Sequence, residues 1–264
     1  MTERPLEGKV AIVTGAGSTI GIGRAITLAL VGAGARVAML DVDPAALEQS
    51  AAEARKVGGP DCVATLVADV TSPEDAERAV QETIRQLGGL HVLVNNAGIN
   101  PRSSKFWETS PDDWRRTMAV NLNGPFFMAR AAAGPMRQQG WGRLISVTTS
   151  LDTMLRSLPY GPSKAGHEAL VTVMAQHLEG TGVTANVLIP GGAAKTNMVP
   201  RERHEGLLEP EIMQAPVVWL ASEQSNGFNG RRIVAQYWDE GLPIEQRLEK
   251  AAAPAGWFQL GRQR

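Results

Sequence analysis

Short apolar runs alternate along this chain with stretches whose apolar positions repeat at helical spacing. Residues 10–14 read as a buried strand, followed by a glycine loop and a helix through Arg24, Ala25, Leu28 and Leu30. Residues 36–40 form a second strand, and Asp43-Pro44 opens the next helix with proline in its first turn. A third strand covers 62–68, after which Ser72-Pro73-Glu74-Asp75 starts a helix with a cap, a proline and early acids. The fourth, 91–94, ends in Asn95-Asn96-Ala97-Gly98, and Ser110-Pro111-Asp112-Asp113 begins a long helix by the same signals. Residues 143–148 are a fifth strand, 160–178 a helix, and 183–189 a sixth strand closed by Pro190-Gly191-Gly192; 233–235 is the candidate seventh. Strands joined by helix-length crossovers specify an α/β architecture, a mostly parallel sheet with helices on both faces. No linker, repeat or low-complexity tract divides it, so one domain is expected over 1–240, with a tail at 241–264.

Composition narrows the function classes. Hydrophobic residues make up 43% of the 264 and charged residues 20%, and 26 basic against 27 acidic side chains leave a net charge of −1. That balance gives no electrostatic reason to expect nucleic acid or an anionic membrane as partner. Cys62 is the single cysteine, which excludes an internal disulfide and fits a reducing compartment. The opening residues lack the apolar core of a secretion signal, and no apolar run approaches the ~20 residues needed to span a bilayer. A cytoplasmic, soluble protein is the expectation. The four histidines, at 91, 167, 177 and 204, have no metal-ligand spacing, so no metal is expected.

Candidate chemistry concentrates in Tyr160-Gly161-Pro162-Ser163-Lys164. Residues four apart on a helix share a face, which sets the Lys164 ammonium beside the Tyr160 ring. Lowering a phenol from about 10 toward 7 requires about 4 kcal/mol of preference for phenolate, and a neighbouring cation can supply it. Such a tyrosine serves as the acid in carbonyl reduction and the base in alcohol oxidation. Upstream, Thr14-Gly15-Ala16-Gly17-Ser18-Thr19-Ile20-Gly21-Ile22-Gly23 lies between the first strand and first helix. Glycines at that junction let backbone approach a pyrophosphate at a helix N-terminus. Asp41, at the end of the second strand, can accept from ribose hydroxyls and repel a 2′-phosphate, so NAD is favoured over NADP.

Taken in order, these motifs resemble the short-chain dehydrogenase/reductase family over most of the chain. The resemblance implies a single doubly wound Rossmann-type domain with a seven-stranded sheet. It implies that Gly15, Ser18, Gly21, Ile22, Gly23 and Asp41 hold the cofactor. Asp69 and Val70 would meet the adenine, and Asn96, Ala97 and Gly98 would line the cofactor. Pro190, Gly191 and Thr196 would hold the nicotinamide carboxamide, ahead of a substrate loop at about 192–212. Asn121, Tyr160 and Lys164 match three members of the catalytic tetrad, with Tyr160 as proton donor and Lys164 also on the nicotinamide ribose. The implied reaction is hydride transfer between NAD(H) and a small alcohol or carbonyl compound, in a homodimer or homotetramer. An NADP-dependent enzyme and a dinucleotide-binding sensor without turnover are the alternatives.

The chain also departs from the family pattern. Five residues rather than three separate Gly15 from Gly21, and four rather than three separate Pro190-Gly191 from Thr196. The fifth strand ends in Thr148-Thr149-Ser150, and Ser150 is the expected catalytic hydroxyl on residue type, with Thr149, which strand register favours, as the alternative. Asp152, Met154, Leu155, Arg156, Asn197 and Met198 fall at pocket-lining positions. Arg156, Lys195, Arg201 and Arg203 are candidates to meet an anionic substrate.

Overall fold

The computed structural model describes residues 4–101 and 105–256. Its strands are β1 (Val10–Thr14), β2 (Arg36–Asp41), β3 (Val63–Val67), β4 (Val92–Asn95), β5 (Gly142–Val147), β6 (Val183–Ile189), β7 (Arg231–Val234) and β8 (Ala252–Pro254). They form one sheet in the order β3-β2-β1-β4-β5-β6-β7-β8. Pairing is parallel except at the β7–β8 edge. Every residue of β1, β4, β5 and β6 is buried, as expected of central parallel strands covered on both faces.

The pleat divides the core in two. Ala11 and Val13 join a cluster with Ile26 and Leu30 of α1 (Ile22–Gly32), Leu47 and Ala51 of α2 (Pro44–Gly58), and Val217 and Leu220 of α8 (Gln214–Ala221). Val10 and Ile12 point the other way, with Ala76 and Val80 of α3 (Pro73–Leu87), Met128 of α5 (Gly124–Gln138) and Val171 of α7 (Tyr160–His177). Truncating one of these side chains, Ile12→Ala for instance, costs about 2–5 kcal/mol. The expected caps are formed: Asp43 accepts from the amides of Ala45 and Ala46, and Ser72 from that of Asp75.

Two expectations change. The long helix predicted from Ser110 is divided into α4 (Pro111–Met118) and α5 by a wide π turn at Ala119–Asn123. The extra residue in that turn rotates the helix face locally and leaves Asn121 fully buried. The sheet has eight strands rather than seven, because α9 (Ile244–Ala251) returns the chain to the sheet edge as β8. Pro254 sits on that edge strand, where the amide it lacks would face no neighbour. Residues 257–264 of the expected tail lie outside the described residues. Among the described residues no helix is long and apolar enough to cross a membrane.

Candidate active site

From β1 the chain moves outward to β2 and β3, then returns to β4 on the opposite side. The carboxyl ends of β1 and β4 therefore flank the topological switch point, where open α/β sheets bind ligands. Gly15 turns there with φ 67°, and a Cβ on it would lie 2.8 Å from Ala97 Cα. A Cβ on Gly23 would lie 2.3 Å from the Gly15 carbonyl oxygen, so neither position tolerates a side chain. The Asn96 side-chain amide donates to the carbonyls of Thr14 and Gly15 at 2.9 and 3.2 Å. The Thr14 hydroxyl accepts from the amides of Asn96 and Ala97 at 3.0 Å. The segment after β4 is thus stitched to the turn after β1. Helix α1 begins beside it with no side-chain cap, leaving amides at its N-terminus for an anion.

Asp41 accepts from the Gly17 amide at 2.8 Å through Oδ2 and from the Val42 amide at 2.8 Å through Oδ1. Its carboxylate therefore shapes the glycine loop as well as marking the end of β2. Asp69 is exposed and accepts from the Thr71 amide and hydroxyl at 2.9 and 2.8 Å. Val70 is buried, 2.8 Å from where a Cβ on Gly124 would stand. Pro190 accepts from the Gln236 amide at 3.0 Å, and a Cβ on Gly191 would meet Gln236 Cβ at 2.7 Å. Thr196 Cβ lies 4.0 Å from the Cβ position of Gly21, which brings the loop after β6 to the start of α1.

On the far side of the switch point, Lys164 Nζ lies 5.7 Å from the Tyr160 ring centroid and donates to the Val147 carbonyl at 2.8 Å. The Asn121 amide donates to the Ile99 carbonyl at 3.0 Å and to Ser163 Oγ at 2.9 Å, while its oxygen accepts from the Ile99 amide at 2.9 Å. Ser163 Oγ in turn donates to the Tyr160 carbonyl at 2.7 Å. A Cβ on Gly98 would lie 3.3 Å from Asn121 Oδ1 and 3.5 Å from Lys164 Nζ. Asn121 and Lys164 therefore meet at Gly98 with the Tyr160 ring beside Lys164, the residues coming from three elements: the π turn, α7 and the segment after β4.

The acidities correct the sequence-based expectation. Burial pushes the Tyr160 phenol up to about 12 rather than down, and pushes the Lys164 ammonium down to about 8. The amine is tied to β5 and is itself reluctant to carry charge, so it does not lower the phenol in this chain alone. The two hydroxyls at the end of β5 are also distinguished. Ser150 caps α6 (Leu151–Arg156), accepting from the Thr153 amide at 3.3 Å with its oxygen 3.1 Å from Thr153 Oγ1. Thr149 is half-buried, and its hydroxyl bonds to none of the described residues. Two of the candidate cations are neutralised: Arg156 pairs with Asp152 at 2.9 Å and Lys195 with Glu209.

Sequence reasoning missed Glu168, fully buried one turn after Lys164. It accepts from Thr148 Oγ1 at 3.2 Å, Arg232 Nε at 3.0 Å and the Gly256 amide at 3.1 Å, tying β5, β7 and the chain beyond β8 to α7. A buried acid on an otherwise apolar helix face is the available signal, and it reads equally well as an exposed position. His167, beside it, is fully buried, and neither ring nitrogen bonds to any of the described residues. Burial first, and the Lys164 charge second, hold it well below the usual imidazole range.

Comparison with known proteins identifies the family. The family model for short chain dehydrogenase matches residues 9–206. A protein of Arabidopsis thaliana named NADPH-dependent aldehyde reductase-like protein, chloroplastic, is 37% identical over 230 residues, 80% of this chain and 82% of that one. The L-rhamnose-1-dehydrogenase of Scheffersomyces stipitis is 30% identical over 247 residues, covering 87% and 95%. The crystal structure of a short-chain type dehydrogenase/reductase from Mycobacterium marinum superposes with TM-score 0.80 at 29% identity, covering 88% of this chain and 95% of that one. The chain belongs to the short-chain dehydrogenase/reductase family and is an oxidoreductase of that family.

Proposed function

We propose that the protein interconverts an alcohol and a carbonyl compound with a nicotinamide dinucleotide, preferring NAD, and with Tyr160 as the acid–base group. The observation that carries this reading is the meeting of Lys164 and Asn121 at Gly98, with the Tyr160 ring beside Lys164, next to a glycine turn and helix N-terminus suited to a pyrophosphate. The residues present fit a dinucleotide: Gly15 and Gly23 keep the turn bare, α1 offers its first amides, and Asp41 closes the adenosine end. When bound, the nicotinamide supplies or accepts the hydride.

The remaining work falls to this chain. A phenol held near 12 keeps its proton at neutral pH, the form needed to protonate an alkoxide developing on a reduced carbonyl. Lys164 spends one N–H on Val147 and retains donors for a ribose hydroxyl and the phenol oxygen. Asn121 is a positioning residue: both its amide hydrogens are spent, on Ile99 and Ser163, fixing the segment after β4 against α7. Thr149 polarises the substrate oxygen, because its hydroxyl is uncommitted while Ser150 serves as a helix cap. The preference for NAD rests on Asp41 with Asp43 two residues on, a pair of acids where a 2′-phosphate would sit. The names of the relatives point to sugars and aldehydes as substrate chemistry.

Nicotinamide absorbance with a panel of polyols, aldoses, alcohols and aldehydes, run with each cofactor, tests the reading. Turnover with NADH or NAD above that with the phosphorylated cofactors is expected. Thr149→Val should reduce kcat at least tenfold while Ser150→Ala changes it by less than threefold. Dinucleotide binding without turnover of any compound would support a sensor instead.

A further inference from the structure

The two places where this chain departs in length from the family pattern meet in space. The lengthened glycine loop presents Ser18, and Asn197 stands two residues beyond the lengthened run of residues 192–195. Asn197 Nδ2 donates to Ser18 Oγ at 2.9 Å. The serine is set up to accept, since its own proton is directed to the Ile20 carbonyl at 2.5 Å. The neighbours of Asn197 extend the contact along the cleft. Thr196 Cβ approaches the Cβ position of Gly21 to 4.0 Å, and Met198 Cε approaches that of Gly98 to 3.5 Å. Three consecutive residues thus run beside the glycine loop, the start of α1 and the segment after β4, with Asn197 bonded to the loop. The base of the loop is fastened independently: Ala194 bridges Leu208, Lys195 donates its amide to the Leu208 carbonyl at 3.0 Å, and Lys195 pairs with Glu209.

We propose that the Ser18–Asn197 hydrogen bond is a strap across the cofactor cleft that sets how long a dinucleotide remains bound. This rests on the reading of that cleft as the dinucleotide site. With the base of the loop fixed, the strap residues are the part able to open, and a leaving dinucleotide must separate Asn197 from Ser18. One neutral hydrogen bond of this kind changes a rate by about 2- to 10-fold. A carboxylate at 197 could bond Ser18 only by drawing the serine proton away from the Ile20 carbonyl, and it would also repel a pyrophosphate.

Stopped-flow NADH fluorescence on displacement measures release directly, without turnover. Ser18→Ala and Asn197→Ala are each expected to release NADH about 2- to 10-fold faster than the parent chain. The double variant should release no faster than the faster single one, because both remove the same bond. Ser18→Thr, which keeps the acceptor, should restore slow release, and Asn197→Asp should not. Release within 1.5-fold of the parent chain in both alanine variants, or a double variant faster than either single one by the product of the two effects, would overturn the strap. A parent chain that binds neither NADH nor NADPH would overturn the dinucleotide reading, and the strap with it; normal binding with unaltered release in the variants overturns the strap alone.

Discussion

A buried cation lies at each end of strand β5, Arg143 within it and Lys164 reaching it from α7, and the two are treated very differently. Arg143, 1% exposed at its start, has all its donors placed: Nε on Ser225 Oγ at 3.1 Å, Nη1 on the carbonyls of Gly142 and Gly182 at 2.9 and 3.4 Å, and Nη2 on the Ser222 carbonyl at 3.4 Å and Asn226 Oδ1. Its guanidinium also stacks 4.1 Å from the Trp141 ring. Lys164, 2% exposed and anchored at the other end, makes one hydrogen bond to the described residues, to Val147. Burial lowers both, Arg143 to about 10 and Lys164 to about 8. A fully satisfied buried cation is scaffold. One left with unused donors at the carboxyl edge of a parallel sheet is poised for a ligand.

The largest expected effect on this contrast comes from Lys164→Met, which should reduce turnover by about 10²- to 10⁴-fold with the fold retained, read by kcat and far-UV circular dichroism. Arg143→Met should do the reverse. Leaving several buried acceptors unpaired costs about 2–4 kcal/mol in urea denaturation, while kcat of the folded protein stays within threefold. The unequal satisfaction of the two cations should also appear as pH dependence. Between about 8 and its ordinary 10.5, Lys164 is neutral in the folded state and protonated in the unfolded one. The unfolded state then binds more protons, so stability rises across that window, by about 3 kcal/mol in total. Tyr160 acts oppositely, since a phenol raised from 10 to about 12 makes stability fall through that range. Denaturant titrations from pH 7 to 10 should show the rise in the parent chain and lose it in Lys164→Met. The smallest effect belongs to the adenosine end: Asp41→Ala should shift the ratio of NADPH to NADH affinities about tenfold toward NADPH. Equilibrium fluorescence titration reads that ratio, and both affinities should weaken somewhat because Gly17 loses its acceptor.

The sheet was largely written in the apolar pattern. The bounds of β1 and β6, and the start of α7 at Tyr160, fall where periodicity and turn residues place them. What escaped depends on contacts between distant segments. The π turn that buries Asn121 inserts one residue into a helix whose sequence periodicity is unbroken, and the bonds to Ile99 and Ser163 that accompany it are tertiary. Strand β8 is three residues long, and alanines carry no strand signal of their own. Helix α6 follows a helix-start pattern, Ser150 with Asp152 two residues on, and that cap commits the Ser150 hydroxyl to the Thr153 amide. The Tyr160–Lys164 juxtaposition was legible from spacing, whereas the direction of the acidity shifts was not. Burial outweighs the attraction between the two groups, and burial is a property of the folded packing.

The decisive measurement is a paired one on Tyr160→Phe: NADH affinity by fluorescence titration, and the single-turnover rate with the best substrate from the panel. The account predicts affinity within threefold of the parent chain and a rate lower by at least 10²-fold, because only the phenolic proton is removed. A Tyr160→Phe protein that reduces its substrate at close to the parent rate would contradict it.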